Sequence, residues 1–388
     1  KMMLNNYKLK DIGNLVDGSI VGNSSSKINQ VITDSRSPLS GENSIFIALK
    51  GINRDGHDFI EAAYDNGTRN FLVEKEIPDL CPEANFIIVK NTLLALQIWA
   101  KEHRNKFNIP VIAITGSNGK TIVKEWLYHF LREKYNTIRS PKSYNSQLGV
   151  SLSLLMINEE HDLAIIEAGI SHPGEMAQLH EMIKPTHSLL TNLGDAHIEN
   201  FSSLKEHENE KLILFKKANG FGPSTFFQNI SFFNNNKNVE ILDVLNVLKN
   251  KSGQQIKYKW KGETHLFNIP QNNITAAQNA SSCVNFLLHL GFQPKEIADL
   301  STSLPTIALR LQKRKGIKNS LIIDDTYNAD LASIEIALQF LANERGKRKT
   351  IVILSDVAQD SSNLANIYKK IAHWISEMKI DHFIGVGK

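Results

Sequence analysis

Apolar and polar positions change their spacing twice along this chain, and each change marks a new unit. Up to about residue 108, short apolar runs at 44–48, 70–73 and 85–89 read as strands, set between turn-rich stretches and one helical pattern. Residues 92–106 place apolar side chains at helical spacing and lead into a different texture. From residue 109 the runs 111–115, 163–167 and 188–191 read as buried strands with helices between them. In one of these helices, 122–133, Ile122, Val123, Trp126, Leu127, Phe130 and Leu131 form a single stripe. Strands that alternate with helices predict a parallel sheet covered on both faces, an α/β class. Residues 219–238 are rich in Asn, Phe and Gly, lack a period, and read as an irregular, mobile insertion. A helix over 275–290 closes this unit.

A third unit begins near residue 309, with strands at 321–324, 350–354 and 383–386 and helices at 333–345 and 363–378. A parallel three-stranded sheet that stops on its last strand would be short of cover. The natural protein is therefore expected to continue past residue 388. Three domains follow: 1–90, 91–308 and an incomplete 309–388.

Composition narrows the class of function. Among 388 residues, 41% are hydrophobic and 22% charged, an ordinary globular balance. The net charge of +4, from 44 basic and 40 acidic side chains, argues against nucleic acid as a partner. Cys81 and Cys283 have neither disulfide nor metal-site spacing, which fits a reducing, cytoplasmic setting. No apolar run is long enough to predict membrane insertion.

The sharpest motif is Thr115-Gly116-Ser117-Asn118-Gly119-Lys120-Thr121, between a predicted strand and a predicted helix. Glycines there let backbone N–H groups face phosphates, and the helix N-terminus favours their negative charge. Lys120 would reach the β- and γ-phosphates, and the Thr121 hydroxyl would ligate Mg²⁺. The usual spacing puts a glycine where Ile114 stands, so this is a shortened variant; a plain tight turn is the alternative.

With this motif the chain resembles the Mur ligase family, and further matches follow in family order. Thr33-Asp34-Ser35-Arg36, the run 44–51 and Asp55-Gly56-His57 resemble the UDP-binding first domain. Ser143-Tyr144-Asn145-Ser146-Gln147-Leu148-Gly149-Val150, Glu167-Ala168-Gly169 and the run 191–197 resemble segments of the central domain. Leu309-Arg310-Leu311 and the run 325–330 resemble the start of the third. The resemblance implies an architecture of UDP-binding, P-loop ATPase and Rossmann-like domains. It also implies an ATP-dependent ligase that forms an acyl phosphate and resolves it with an amine. The runs 197–201 and 325–330 most resemble the branch that adds D-alanyl-D-alanine to UDP-N-acetylmuramoyl-tripeptide; 325–331 with Ser355-Asp356 resembles its version fused to an alanine racemase domain.

The same resemblance implies roles for single residues. Gly116, Ser117, Asn118, Gly119, Lys120, Thr121, Asn192, Asn279, Arg310, Asp325, Tyr327 and Asn328 would bind ATP. Thr121, Glu167, His197 and Lys211 would hold Mg²⁺, with Lys120, Glu167, His197 and Lys211 as the catalytic set. A carboxylate such as Glu167, at a strand end, is a suitable hard-oxygen ligand. Lys211 stands where the family carries a CO₂-modified lysine, although on the residues alone it reads as a solvated helix lysine. Asp34, Ser35 and Arg36 would hold the UDP moiety, and Asn145 and Gln147 the muramyl-peptide part. The chain departs from the family pattern at Ile122, Ser151 and Ala276; the last puts the adenine contacts in doubt. Two other readings stay open at this point. One is a family member that adds a diamino acid or glutamate, and the other is a P-loop ATPase without ligation.

Overall fold

The structure is a computed structural model that describes residues 7–387, apart from 38–40, 52–53, 76–80, 195–199, 235, 251–252, 306–310, 327–328, 330 and 358–363. The chain divides into two compact units. One comprises Lys1–Ala113, Lys134–Ala168 and Glu175–Thr186, and the other Ile114–Glu133, Gly169–Gly174 and His187–Lys388.

The first unit contains a five-stranded sheet in the order Ser19–Val21, Asn85–Ile88, Asn70–Val73, Ser44–Ile47, Gln30–Ile32. All pairs are parallel except Ser19–Val21 with Asn85–Ile88. Its inner strands are the three apolar runs of the sequence. The two edge strands have three residues each, too few to show a period. Phe46, Phe71 and Phe86 fill the core with ring centroids 6.2 and 5.4 Å apart.

Helix Thr92–Arg104 is capped by Asn91, whose side chain accepts the Leu94 N–H, and buries Ala95, Leu96, Trp99 and His103. His103 is locked as a neutral ring: Nδ1 lies 2.6 Å from the Tyr7 hydroxyl and Nε2 2.8 Å from the Ile157 carbonyl. Burial holds its pKa down at about 4, against about 6.5 for an exposed imidazole. As pH falls, the unfolded chain therefore takes up this proton first, and stability is lost between about pH 6.5 and 4. Equilibrium unfolding in urea should show roughly 2 kcal/mol less stability at pH 5 than at pH 7 from this one group. His103→Gln should remove that part of the acid dependence. An unchanged pH profile in the variant would refute it.

A six-stranded sheet carries Val239–Ile241, Asn219–Gly222, His187–Leu190, Val111–Thr115, Leu163–Glu167 and Thr137–Arg139 in that order. Asn219–Gly222 corrects the expectation of an irregular insertion, since it pairs in parallel with both neighbours. The strand was hidden because two of its three buried positions are glycines. A Cβ on Gly220 would lie 2.8 Å from the Phe215 ring, and one on Gly222 2.3 Å from the Phe233 ring. An antiparallel meander of Asp243–Asn250, Gly253–Trp260 and Glu263–Ile269 follows.

Near the carboxyl end the three expected parallel strands form two separate pairs. Leu321–Asp324 makes an antiparallel hairpin with Gln312–Lys315, while Ile351–Ser355 pairs in parallel with His382–Val386. Helices Leu331–Glu344 and Leu364–Glu377 pack through Ile334, Leu338, Ile367 and Ile371, with Val352 and Leu354 against them. Cys81 and Cys283 are buried free thiols. No helix among the described residues is long and apolar enough to cross a membrane.

Candidate active site

The shortened glycine motif forms a loop from the end of strand Val111–Thr115 to the helix Lys120–Leu131. Gly116 and Gly119 take φ values of +139° and +82°, which L side chains rarely adopt. They also admit close neighbours: a Cβ would lie 2.1 Å from Thr191 Oγ1 at Gly116 and 2.6 Å from Asn279 Oδ1 at Gly119. Ile114, in place of the usual first glycine, is a fully buried strand residue.

The loop is held from outside by the segment after His187–Leu190. The Ser117 N–H donates to the Asn192 carbonyl at 3.1 Å, and the Asn118 N–H to Asn192 Oδ1 at 2.9 Å. Ser117 Oγ donates to the Gly194 carbonyl and accepts the Gly194 N–H, both at 2.8 Å. Asn192, expected to touch nucleotide, here shapes the loop that would. Gln228 grips Leu193 through both its N–H and carbonyl, and Gln278 Nε2 donates to the Thr191 carbonyl. Neither glutamine was legible in the sequence, because each acts across a long stretch of chain.

Lys120 Nζ rests on the carbonyls of Gly116, at 2.7 Å, and Ser117, at 3.2 Å, and Thr121 beside it is 9% exposed. Lys211 corrects the bland reading of a solvated lysine, since it is 3% exposed on helix Leu204–Leu212. Its Nζ donates to Ser117 Oγ at 3.5 Å and touches the ring of His207, one helical turn earlier. Burial pulls its pKa down to about 7; the charge of Lys120 adds to the fall and Glu208 opposes it. The only sequence signal for His207 is its i, i+4 spacing from Lys211.

A cavity of about 570 Å³ opens beside the loop, lined among others by Asn118, Gly119, Trp126, Asn279, Leu311 and Asp325. That volume suits a small-molecule ligand. Asp325 Oδ1 accepts the Leu311 N–H at 3.1 Å. Asn279 is fully buried, and neither atom of its amide has a hydrogen-bond partner among the described residues. Such an orphaned amide is costly unless a partner arrives. Asn273 is already occupied, capping helix Ile274–His289 by accepting the Ala276 N–H at 2.8 Å.

In the first unit Glu167 ends strand Leu163–Glu167 and is 1% exposed. Asn145 Nδ2 donates to Glu167 Oε1 at 2.9 Å, and the Glu167 N–H donates to Ser140 Oγ. Gln147 is the first residue of a helix, Gln147–Leu154, and both ends of its amide are bonded within the fold. Its Oε1 accepts from Gln97 at 2.8 Å, and its Nε2 donates to the Glu175 carbonyl at 2.9 Å. Asp34 and Arg36 face solvent and bind each other through two side-chain hydrogen bonds, which hold the Asp34 carboxyl at about 2. Ser35 is buried, and its carbonyl accepts from Asn66 Nδ2. His197, Arg310, Tyr327 and Asn328 lie outside the described residues.

Three comparisons bear on this geometry. A family model described as the Mur ligase middle domain matches residues 114–305. A UDP-N-acetylmuramoyl-tripeptide–D-alanyl-D-alanine ligase of Buchnera aphidicola from Acyrthosiphon pisum is 30% identical over 400 residues, covering 98% of this chain and 85% of that protein. Two solved structures share the fold. A crystal structure of MurF from Acinetobacter baumannii superposes with a TM-score of 0.86 at 24% identity, covering 99% of this chain and 86% of that one. One of MurF ligase from Thermotoga maritima in complex with ADP gives 0.73 at 21%, covering 92% and 88%.

Proposed function

Because the chain belongs to the Mur ligase family, with that family's three-domain architecture, we infer that it ligates D-alanyl-D-alanine to UDP-N-acetylmuramoyl-tripeptide at the expense of ATP in peptidoglycan precursor synthesis. The relative and both MurF structures are of this branch, which sets aside the diamino-acid-adding reading. A bare P-loop ATPase gives no purpose to the site's other parts. The observation that carries the ligase reading is a buried lysine of lowered pKa, Lys211, set against the hydroxyl of the phosphate loop's Ser117.

The reaction divides into two steps. A carboxylate oxygen of the tripeptide attacks the γ-phosphorus of ATP, the bond to the bridging oxygen breaks, and ADP leaves. The dipeptide amine then attacks the acyl-phosphate carbon, phosphate departs with the C–O electron pair, and the nitrogen loses a proton. Both steps need positioning and charge neutralisation more than reactive side chains. We assign to the phosphates the Lys120 ammonium and the backbone N–H groups of the loop other than those of Ser117 and Asn118, which Asn192 holds. Asn279, whose buried amide is unpartnered, and Asp325 go to the nucleoside side of the cavity.

No group of three or more His, Cys, Asp or Glu gathers among the described residues. Mg²⁺ is commonly held by one or two carboxylates together with substrate phosphates, so the donor set still fits it. Thr121, Glu167 and a carbamylated Lys211 are the residues assigned to hold it, with His197 carried from the resemblance. When bound, the ion neutralises charge on the transferring phosphoryl group. The domain boundaries 1–90, 91–308 and 309–388, the UDP roles of Asp34, Ser35 and Arg36, and a cytoplasmic location complete the proposal.

The deciding assay is phosphate release from ATP, with the UDP-tripeptide and with D-alanyl-D-alanine or single amino acids added in turn. Release that needs both substrates, with the ligated product seen by mass, is the expected result. Release that ignores either substrate would overturn the reading.

A further inference from the structure

We propose that the hairpin spanning residues 312–324 docks this protein reversibly onto an anionic phospholipid surface. Its tip carries Ile317, 85% exposed, the most exposed of the large hydrophobic side chains among the described residues. Around it, four of the six residues 313–318 are cations: Lys313, Arg314, Lys315 and Lys318. An isolated exposed isoleucine needs no explanation, and neither does an isolated lysine. An apolar tip ringed by cations is a different object, because lipid headgroups reward the charges while the acyl boundary accepts the side chain.

The tip is built to present that side chain. The Gly316 N–H donates to the Ser320 carbonyl at 2.9 Å, and the Ser320 N–H and Oγ both donate to the Ile317 carbonyl, at 3.1 and 2.8 Å. Lys318 and Asn319 hold left-handed φ values of 53° and 61°, so the turn keeps an uncommon shape without glycine at those positions. A turn already bonded in this way loses little freedom on docking.

Charge is in excess after the nearby acids are counted. Glu344 takes Lys313 at 2.7 Å, and Asp324 takes Arg314 at 3.0 Å. Lys315 and Lys318 have no carboxylate partner among the described residues. A second basic run starts from the residue that the hairpin grips. Directly after Glu344 come Arg345, Lys347, Arg348 and Lys349, the last three exposed and also without a carboxylate partner. Arg345 is turned inward onto the carbonyls of Met378 and Lys379. The run 345–349 is thus fixed to the fold at its start and carries three further exposed cations.

Co-sedimentation of the full chain with vesicles tests this. Binding is expected to vesicles of equal parts phosphatidylglycerol and phosphatidylcholine, to weaken in high salt, and to be slight with phosphatidylcholine alone. The double variant Lys315→Glu/Lys318→Glu should bind more than about 25-fold more weakly, at about five-fold for each cation lost. Ile317→Ser should cost about ten-fold. Lys257→Glu/Lys259→Glu, a matched charge change on exposed positions of the meander, should leave binding nearly intact. Absence of binding to the anionic vesicles overturns the proposal and would leave an acidic protein as the fitting partner. Equal loss in the hairpin and meander variants overturns it too, since net charge alone would then explain the binding.

Discussion

A Lys211→Met enzyme will lose ligation by at least about 10³-fold while remaining folded and retaining its ATP affinity to within a few-fold. The side chain is buried beside the phosphate loop, where an ordinary ammonium would be costly and an amine of pKa about 7 is not. Near neutral pH a large share of it is therefore the free amine. Only that form attacks CO₂: nitrogen bonds to carbon, an N–H proton leaves to water, and the neutral amine becomes an anion able to bind Mg²⁺. The sign of the pH dependence follows. As pH falls through about 7 the amine protonates, the carbamate is lost and ligation falls with it, while added bicarbonate should restore part of the rate. Carbon NMR after labelled bicarbonate should show a carbamate signal in the parent protein and none in the variant. Near-normal ligation by Lys211→Met, or a label that persists in it, would sink this role.

Lys120→Met should lower kcat by roughly 10²–10³-fold and weaken ATP binding by about ten-fold or more. Its ammonium now rests on the carbonyls of Gly116 and Ser117, an arrangement that keeps a cation ready at the loop. Phosphate oxygens would replace those carbonyls as stronger, charge-assisted acceptors. The same substitution carries a second readout. The charge of Lys120 helps to depress the pKa of Lys211, so removing it should raise that pKa and move the acid limb of the residual pH profile upward. A merely structural Lys120 would leave the limb where it was. If ATP affinity and the profile are both unchanged, the phosphate role fails.

Both predictions concern residues that the chain announces in advance, yet only the tertiary structure supplies their chemistry. Thr115 to Thr121 was legible because strand, glycine turn and helix start are local features, each with its own residue preferences. Strands 44–47, 70–73, 85–88, 111–115 and 163–167 were legible for the same reason: buried strands are apolar runs. Asn219–Gly222 was not, because its glycines make room for Phe215 and Phe233, and the apolar signal lies in those partners. Strands Ser19–Val21 and Gln30–Ile32 are too short to show a period at all.

The sequence by itself determined the α/β class, the glycine-rich strand-to-helix loop and, through its motifs, the family. These rest on short-range patterns, in which side-chain type and spacing carry the whole signal. Only the tertiary structure decided the state of the side chains. It showed that Lys211 is buried against Ser117, that Asn145 holds Glu167, that Gln147 is spent on Gln97 and Glu175, and that Asn279 presses an unpartnered amide on Gly119. Burial and hydrogen-bond partners depend on residues far away in the chain. Protonation and reactivity follow burial and partners, so no local pattern could have supplied them.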